Sequence, residues 1–329
     1  MIHLLIDSTA LKGNLLGDPA TRTVAVYLPA DYDHSDLSYP VFVNLASFGG
    51  SGLQQISWRL FGENVPQRID RLVALQRMGP VVAVFPDCFT SLGGNQYINS
   101  IAMGKWEDFL LAELIPRIET EFRVRKGAGN RAVFGFSSGG FGAITHGLLH
   151  GQWWGAVACH SGDMGFDWVY RPDLPKALNI LAEYDGNVEH FFKDFEDSPK
   201  VRGDRLQAMM ILAMSASYDP DPAQPRGVRL PVHPHTCELD PERWARWKAH
   251  DPVELVKRAE CRRRLQSLKG LYIDCGKKDQ FQLHYGTRTF VNQLEAFGIS
   301  HHYEEFDDNH SGVDYRLDVS LPFLYEAVA

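Results

Sequence analysis

The sequence predicts an α/β fold with a mostly parallel central sheet, helices on both of its faces and one long insertion. Three observations carry this. Strand-like runs alternate with helix-like ones along most of the 329 residues, the pattern of parallel strands joined by crossover helices. The strand-like runs are continuous in Val, Ala and Phe instead of alternating with polar residues, as burial on both sides requires. The rhythm fails only across residues 163–250, where no clear parallel strand stands out.

Taken in order, the expected strands are TRTVAVYLP (21–29), YPVFVNLA (39–46), VVAVFPD (81–87), NRAVFGFS (130–137), WGAVACHS (154–161), GLYIDCG (270–276) and SHHYEEF (300–306). Helical periodicity is clearest over 105–122, where Trp106, Phe109, Leu110, Glu113, Leu114 and Ile118 mark out a largely apolar stripe. Helices also fit 139–150, 252–265, 282–297 and the C-terminal stretch. The 163–250 segment carries helix-like pieces and many aromatics, and residues 219–241 hold six prolines, which excludes regular helix or central strand there. An insertion of that length between core strands is expected to serve function. We therefore read residues 1–329 as one domain with 163–250 as a lid within it.

Composition narrows the function. Apolar residues make up 44% and charged residues 22%, values of a folded globular chain rather than a disordered one. With a net charge of −8 and no massed Lys or Arg, the chain offers no nucleic-acid footprint. Its densest basic run, KRAECRRRL (257–265), sits at helical spacing and reads as a solvated helix face. The opening MIHLLIDSTALKGN lacks the basic start and long apolar core of a signal peptide, and no apolar run is long enough for a bilayer span. Five scattered cysteines without a CxxC pair argue for a reducing compartment, so a cytoplasmic location is expected, with no membrane partner. Homo-oligomerisation is left open.

The chemistry centres on AVFGFSSGGFGA (132–143). Within it, Gly135-Phe136-Ser137-Ser138-Gly139 matches G-x-S-x-G between a strand and a helix. That setting has a mechanical reason: the nucleophile occupies a tight strand-to-helix turn, and the helix N-terminus presents N–H groups to a developing oxyanion. The register selects Ser137 as nucleophile and gives Ser138 the oxyanion N–H. A nucleophilic serine needs a base and a group to orient it, in the chain order Ser, acid, His. Asp279 follows the strand 270–276, and His310 follows the strand 300–306, so all three fall at the carboxyl ends of parallel strands. Rivals exist: Asp274 inside its strand, Asp307 and Asp308 close to His310, and His284, His301 and His302. A second oxyanion donor is expected from the glycine-rich loop SFGGSG (47–52), at Phe48 or a neighbour. The loop GGNQYINS (93–100) offers Asn95, Gln96, Tyr97 and Asn99 as pocket-lining candidates, and the insertion offers Trp168. Cys159, His160 and Asp163 stand where they would flank the pocket, with Cys159 there for packing. His233, His235 and Cys237 alternate in HPHTC, yet no second ligand pair at finger spacing follows, so no metal or other cofactor is expected.

With these residues in hand, the chain resembles the esterase D or "putative esterase" branch of the α/β-hydrolases. That branch includes S-formylglutathione hydrolases, enterochelin esterases, feruloyl esterases and the antigen 85 acyltransferases. The resemblance runs through RTVAVYLPADYD, YPVFVNLASFGGSG, FPDCFTSLGGNQYINS, WEDFLLAELIPRIETEFRV, GFSSGGFGA, IDCGKKDQF and NHSG. It implies an α/β-hydrolase fold, Ser137, Asp279 and His310 as nucleophile, acid and base, and Phe48 and Ser138 as oxyanion donors. One departure stands out: Ala46 and Ser47 occupy the place of a His-Gly pair common in the family. The resulting expectation is a serine hydrolase of small-molecule carboxylic esters, extending to thioesters or aryl esters. The alternatives are an acyltransferase and a catalytically silent binding protein of the same fold.

Overall fold

Eight strands form one sheet in the computed structural model, which describes residues 1–329. They are β1 (Ile2–Asp7), β2 (Thr21–Tyr27), β3 (Val41–Leu45), β4 (Val82–Pro86), β5 (Arg131–Phe136), β6 (Ala156–His160), β7 (Gly270–Gly276) and β8 (His302–Phe306). Their spatial order is β1-β2-β4-β3-β5-β6-β7-β8. The pairings of β1 with β2 and of β2 with β4 are antiparallel, and every other pairing is parallel. This is the α/β-hydrolase architecture expected from the sequence.

The strand sequences dictate how the sheet is covered. Alternate residues point to opposite faces, so in β3–β6 the valines Val43, Val84, Val133 and Val157 pack on one side. Phe42, Ala83, Ala132 and Ala158 pack on the other. That second face takes helices α1 (Val65–Ala74) and α8 (Leu317–Val328), through Ile69, Leu72, Leu321 and Leu324. The first face takes the helical stretch 106–121 and helix α2 (Ser138–His150). Helix α7 (Leu283–Ala296) follows β7. No helix is long and apolar enough to cross a membrane.

Between β6 and β7 the insertion is helical, as its sequence implied: α3 (Leu174–Ala182), α4 (Val188–Asp197), α5 (Gly203–Tyr218) and α6 (Pro241–Lys248). The proline-rich run between α5 and α6 forms turns, and in HPHTC the His233 Nδ1 accepts the backbone N–H groups of His235 and Thr236. That motif closes a turn, and nowhere do three or more His, Cys, Asp or Glu side chains gather as a metal site.

Three local expectations need correction. Strand β1 escapes the sequence reading because it is an antiparallel edge strand of which only Ile6 is buried, so it carries no burial signature. The expected helix 252–265 is two helices, Pro252–Leu255 and Ala259–Gln266. The first closes on i→i+3 bonds from the N–H groups of Lys257 and Arg258, and Arg258 then leaves helical backbone. In the stretch 106–121, Phe109–Leu114 forms a π turn. Pro116 follows it and cannot donate to an i−4 carbonyl, the usual source of such an irregularity.

Candidate active site

Three parallel strands end at one edge of the sheet and bring the candidate residues there. Ser137 caps the first turn of α2 with φ 58° and ψ −124°, a conformation a non-glycine residue holds only when its surroundings enforce it. Two bonds do so: its N–H donates to His160 O at 2.9 Å and its carbonyl accepts Phe141 N–H at 2.8 Å. Close packing at the turn explains two of the glycines in GFSSGG. A Cβ on Gly139 would lie 2.0 Å from Leu45 O, and one on Gly135 would lie 2.4 Å from the Gly139 carbonyl carbon. Directly after Ser137, α2 begins, so the N–H groups of its first residues, Ser138 among them, have no intrahelical acceptor.

Asp279 and His310 meet across the loops that follow β7 and β8. His310 Nδ1 lies 2.6 Å from Asp279 Oδ2, and the Asp279 side chain is wholly shielded from solvent. The other carboxylate oxygen accepts Phe281 N–H at 2.9 Å, so the acid is held at both ends. The imidazole sits between the rings of Phe136 (4.6 Å) and Phe281 (4.9 Å), and His310 N–H donates to Gln280 Oε1 at 3.0 Å. Ser137, His310, Ser47 and Phe48 line one cavity of about 300 Å³, completed by Phe136, Phe281 and by Gly203, Leu206, Gln207 and Met210 of α5. A second cavity of about 340 Å³ shares Ser47, Phe136 and His310 and has a more polar wall, including Gln54, Gln55 and Arg59. A third cavity, about 480 Å³, lies within the insertion between Leu178, Leu230 and Val232 and contains neither Ser137, Asp279, His310 nor the oxyanion candidates.

The rivals have other partners. Asp274 joins a buried cluster in which it meets His160 Nδ1 at 2.8 Å and Arg316 Nε at 2.9 Å, while His160 Nε2 meets Ser320 Oγ at 2.8 Å. Burial alone would raise the Asp274 carboxyl, but His160 and Arg316 outweigh it and hold it below the ordinary range. Asp307 pairs with Lys278 on the surface, and Asp308 accepts Asn309 N–H in the turn before His310. His301 bonds Ile299 O, and His302 stacks on Tyr272 at 5.1 Å. His284 packs on Tyr285. Cys159 is fully buried in the core, its thiol pushed up by that burial.

The loop 93–100 does not line the cavity that holds Ser137, which corrects the expectation for Asn95, Gln96, Tyr97 and Asn99. Asn95, Gln96 and Tyr97 point inward and are almost completely buried. Asn95 bonds Cys88 O and accepts Tyr97 N–H, Tyr97 OH donates to Ala46 O at 2.5 Å, and Gln96 Nε2 donates to Ser138 Oγ at 2.9 Å. Asn99 is exposed and ties to Asp108 at the far end of the loop. Trp168 likewise lies outside the cavity, 58% exposed and set against Tyr285. Its signal was aromaticity alone, and the insertion turns that ring outward. The wall residues Leu206, Gln207, Met210 and Phe281 were not singled out from the sequence. Only the i, i+4 spacing of Leu206 and Met210 on a helix over the site could have pointed to two of them.

The sequence matches the family model described as "Putative esterase" over residues 19–320. The chain belongs to this esterase family, a family of carboxylic ester hydrolases. It is 34% identical over 214 residues to two Mycobacterium tuberculosis proteins, Esterase MT1326 and Esterase Rv1288, a match covering 61% of this chain and 43% of each relative. The chain therefore spans less than half the length of those curated relatives. Among solved structures it is similar to a ferulic acid esterase, with a TM-score of 0.65, 20% identity and coverage of 99% and 97% of the two chains. An S-formylglutathione hydrolase from Staphylococcus aureus gives a TM-score of 0.57 at 14% identity, covering 100% and 98%. At such identities these likenesses speak to the fold.

Proposed function

We propose that the protein is a serine esterase that cleaves small-molecule carboxylic esters through an acyl-enzyme. The observation that carries this reading is the shared cavity of Ser137 and His310, with His310 Nδ1 held 2.6 Å from a shielded Asp279. Ser137 Oγ attacks the ester carbonyl while His310 Nε2 takes its proton. Asp279 keeps the ring in the tautomer that leaves Nε2 free and stabilises the imidazolium once formed. The carbonyl oxygen gathers negative charge beside the Phe48 and Ser138 N–H groups, with the α2 N-terminus adding its positive dipole end. His310 then protonates the departing alcohol. In the second half-reaction it takes a proton from water as the water oxygen bonds the acyl carbon; the C–Oγ bond then breaks, His310 returns the proton to Ser137 Oγ and the carboxylic acid leaves.

The acyl group belongs in the cavity walled by Phe48, Phe136, Phe281, Leu206 and Met210, an apolar lining suited to an aliphatic or aryl acyl chain. Residues 163–250 act as a cap, because α5 supplies four of the residues that wall this cavity. The reading extends to thioesters, whose carbonyl chemistry is the same. Fluorophosphonate labelling with peptide mass mapping tests it, alongside turnover of p-nitrophenyl acetate, butyrate and octanoate. Label on Ser137, and its loss together with turnover in Ser137→Ala, is the expected result. Full turnover by Ser137→Ala would remove the proposal.

A further inference from the structure

The residue after the proposed nucleophile is embedded in a buried polar network that none of the proposed chemical steps uses. Ser138 Oγ accepts from Gln96 Nε2 at 2.9 Å and donates to Asp163 Oδ2 at 3.3 Å. The same Asp163 oxygen accepts Tyr170 OH at 2.8 Å, and Tyr170 OH lies 3.1 Å from Tyr218 OH. Gln96 Nε2 also reaches Met214 Sδ at 3.0 Å. Ser138, Gln96, Tyr170 and Met214 are each 1% exposed and Asp163 is 5% exposed. A carboxyl at that depth is costly unless hydrogen bonds replace its lost hydration, and the hydroxyls of Ser138 and Tyr170 supply two of them.

Two geometric facts say what the network connects. At one end is Ser138, whose backbone N–H shares a peptide unit with Ser137 and is the proposed oxyanion donor. At the other end are Met214 and Tyr218 of α5. Leu206, Met210, Met214 and Tyr218 recur every fourth residue and so lie along one side of that helix. The first two wall the acyl cavity, and the last two join the network. One helix thus roofs the cavity at its start and, at its end, is linked to the oxyanion residue through Gln96 and through Tyr170 and Asp163.

We infer that Asp163 is a positioning residue: through Ser138 Oγ it sets the orientation of the Ser138 N–H and ties that donor to the cap helix. This rests on the serine-esterase reading above. An oxyanion donor contributes only when it is aimed at the oxygen as charge develops. Its misalignment should therefore lower kcat and leave substrate binding nearly unchanged. Asn at position 163 can still accept from both hydroxyls, whereas Ala can accept from neither.

The test uses the full chain and five variants: Ser137→Ala, Ser138→Ala, Asp163→Ala, Asp163→Asn and the double variant Ser138→Ala/Asp163→Ala. Each is assayed for kcat and KM with p-nitrophenyl butyrate, and for affinity toward an alkyl trifluoromethyl ketone, which places an oxyanion at the same N–H groups. Melting temperature reports folding, and Ser138→Ala, which removes one hydroxyl, covers the case in which Asp163→Ala does not fold. Ser138→Ala and Asp163→Ala should each lose roughly tenfold to hundredfold in kcat, less than the deletion of a whole oxyanion donor. KM should stay within about twofold, with ketone affinity falling in step with kcat. The double variant should be no worse than the poorer single, since both act through one contact, and Asp163→Asn should keep most activity. Losses confined to KM, losses that multiply in the double variant, or full kcat in Ser138→Ala would overturn the inference. Activity surviving in Ser137→Ala would instead overturn the esterase reading beneath it, so the two failures are distinguishable.

Discussion

Asp279→Asn is the most informative single change, because one atom exchange disturbs two bonds that the structure fixes separately. Asp279 Oδ2 accepts His310 Nδ1–H at 2.6 Å, and Oδ1 accepts Phe281 N–H at 2.9 Å. An amide has one acceptor and one donor where two acceptors are needed, and no solvent reaches the side chain to compensate. If the amide nitrogen faces Phe281, two donors oppose each other, at a cost of about 1–3 kcal/mol for the bond left unmade. The favoured arrangement keeps that bond and turns the NH₂ toward the imidazole. His310 must then accept at Nδ1 and carry its proton on Nε2, where it cannot take one from Ser137. By the behaviour of measured triads this costs about 10⁴ in kcat, or roughly 5 kcal/mol of transition-state stabilisation. KM for p-nitrophenyl butyrate should change little, because neither atom is in the cavity wall. Stopped-flow measurement of acylation, with circular dichroism to confirm the fold, provides the check. A variant that keeps kcat within tenfold of the parent would refute the assignment of Asp279 and with it the tautomer argument.

Three further outcomes follow from other contacts. Gly139→Ala would drive a Cβ to 2.0 Å from the backbone oxygen of Leu45, which no rotamer change can relieve, so the turn must open; fluorophosphonate labelling of Ser137 should become roughly a hundredfold slower, as for other displaced reacting groups. Asp274→Ala leaves Arg316 and His160 without their shared carboxylate, and urea unfolding should show a loss of about 3–5 kcal/mol, with labelling of the folded fraction preserved. Asp274 and Asp279 would thereby separate into a stability acid and a chemistry acid. His146 is buried, and that burial, with His150 beside it, lowers its pKa from 6.5 to about 4. As pH falls below the unfolded value, the unfolded chain takes up a proton that the folded state refuses until about pH 4. Stability should therefore decline from pH 6.5 to 4, by at most about 3 kcal/mol from this group. Since His146 Nε2 bonds Tyr97 O at 3.0 Å, His146→Gln keeps a donor there, and its melting temperature should fall less steeply over that pH range than the parent's.

The parts of the fold legible in the sequence are those whose burial leaves a pattern. Strands β3 to β7 are buried on both sides and so read as largely apolar runs, whereas β1 pairs on one side only and reads like a loop. Residues at strand ends were legible for a related reason. Parallel strands all point the same way, so a serine after β5, an acid after β7 and a histidine after β8 must come to the same edge before any distance is known. What cannot be read that way is the direction of a side chain on a loop. Trp168 and Asn99 have the composition of pocket residues and face solvent, while Leu206 and Met210 look like ordinary helix residues and wall the cavity.

The loop 93–97 shows how a misplaced expectation can still mark an important segment. Its polar residues were conspicuous because an amide pair and a tyrosine directly follow two glycines, and all three side chains turn inward. The loop after β3 has Ala46 and Ser47 in place of a side chain that could brace it from within. The bracing comes from this other loop: Tyr97 OH bonds Ala46 O, and Gly94 packs so tightly on Phe48 that a Cβ would lie 2.9 Å from its Cα. Tyr97 itself holds φ 58°, a strained value that its hydrogen bonds at both ends sustain. Gln96, the residue before it, bonds Ser138 Oγ at 2.9 Å. Both proposed oxyanion donors, Phe48 and Ser138, are therefore supported by adjacent residues of one loop. A single rigid segment outside the cavity can hold two N–H groups in register, which is the preorganisation that oxyanion stabilisation depends on.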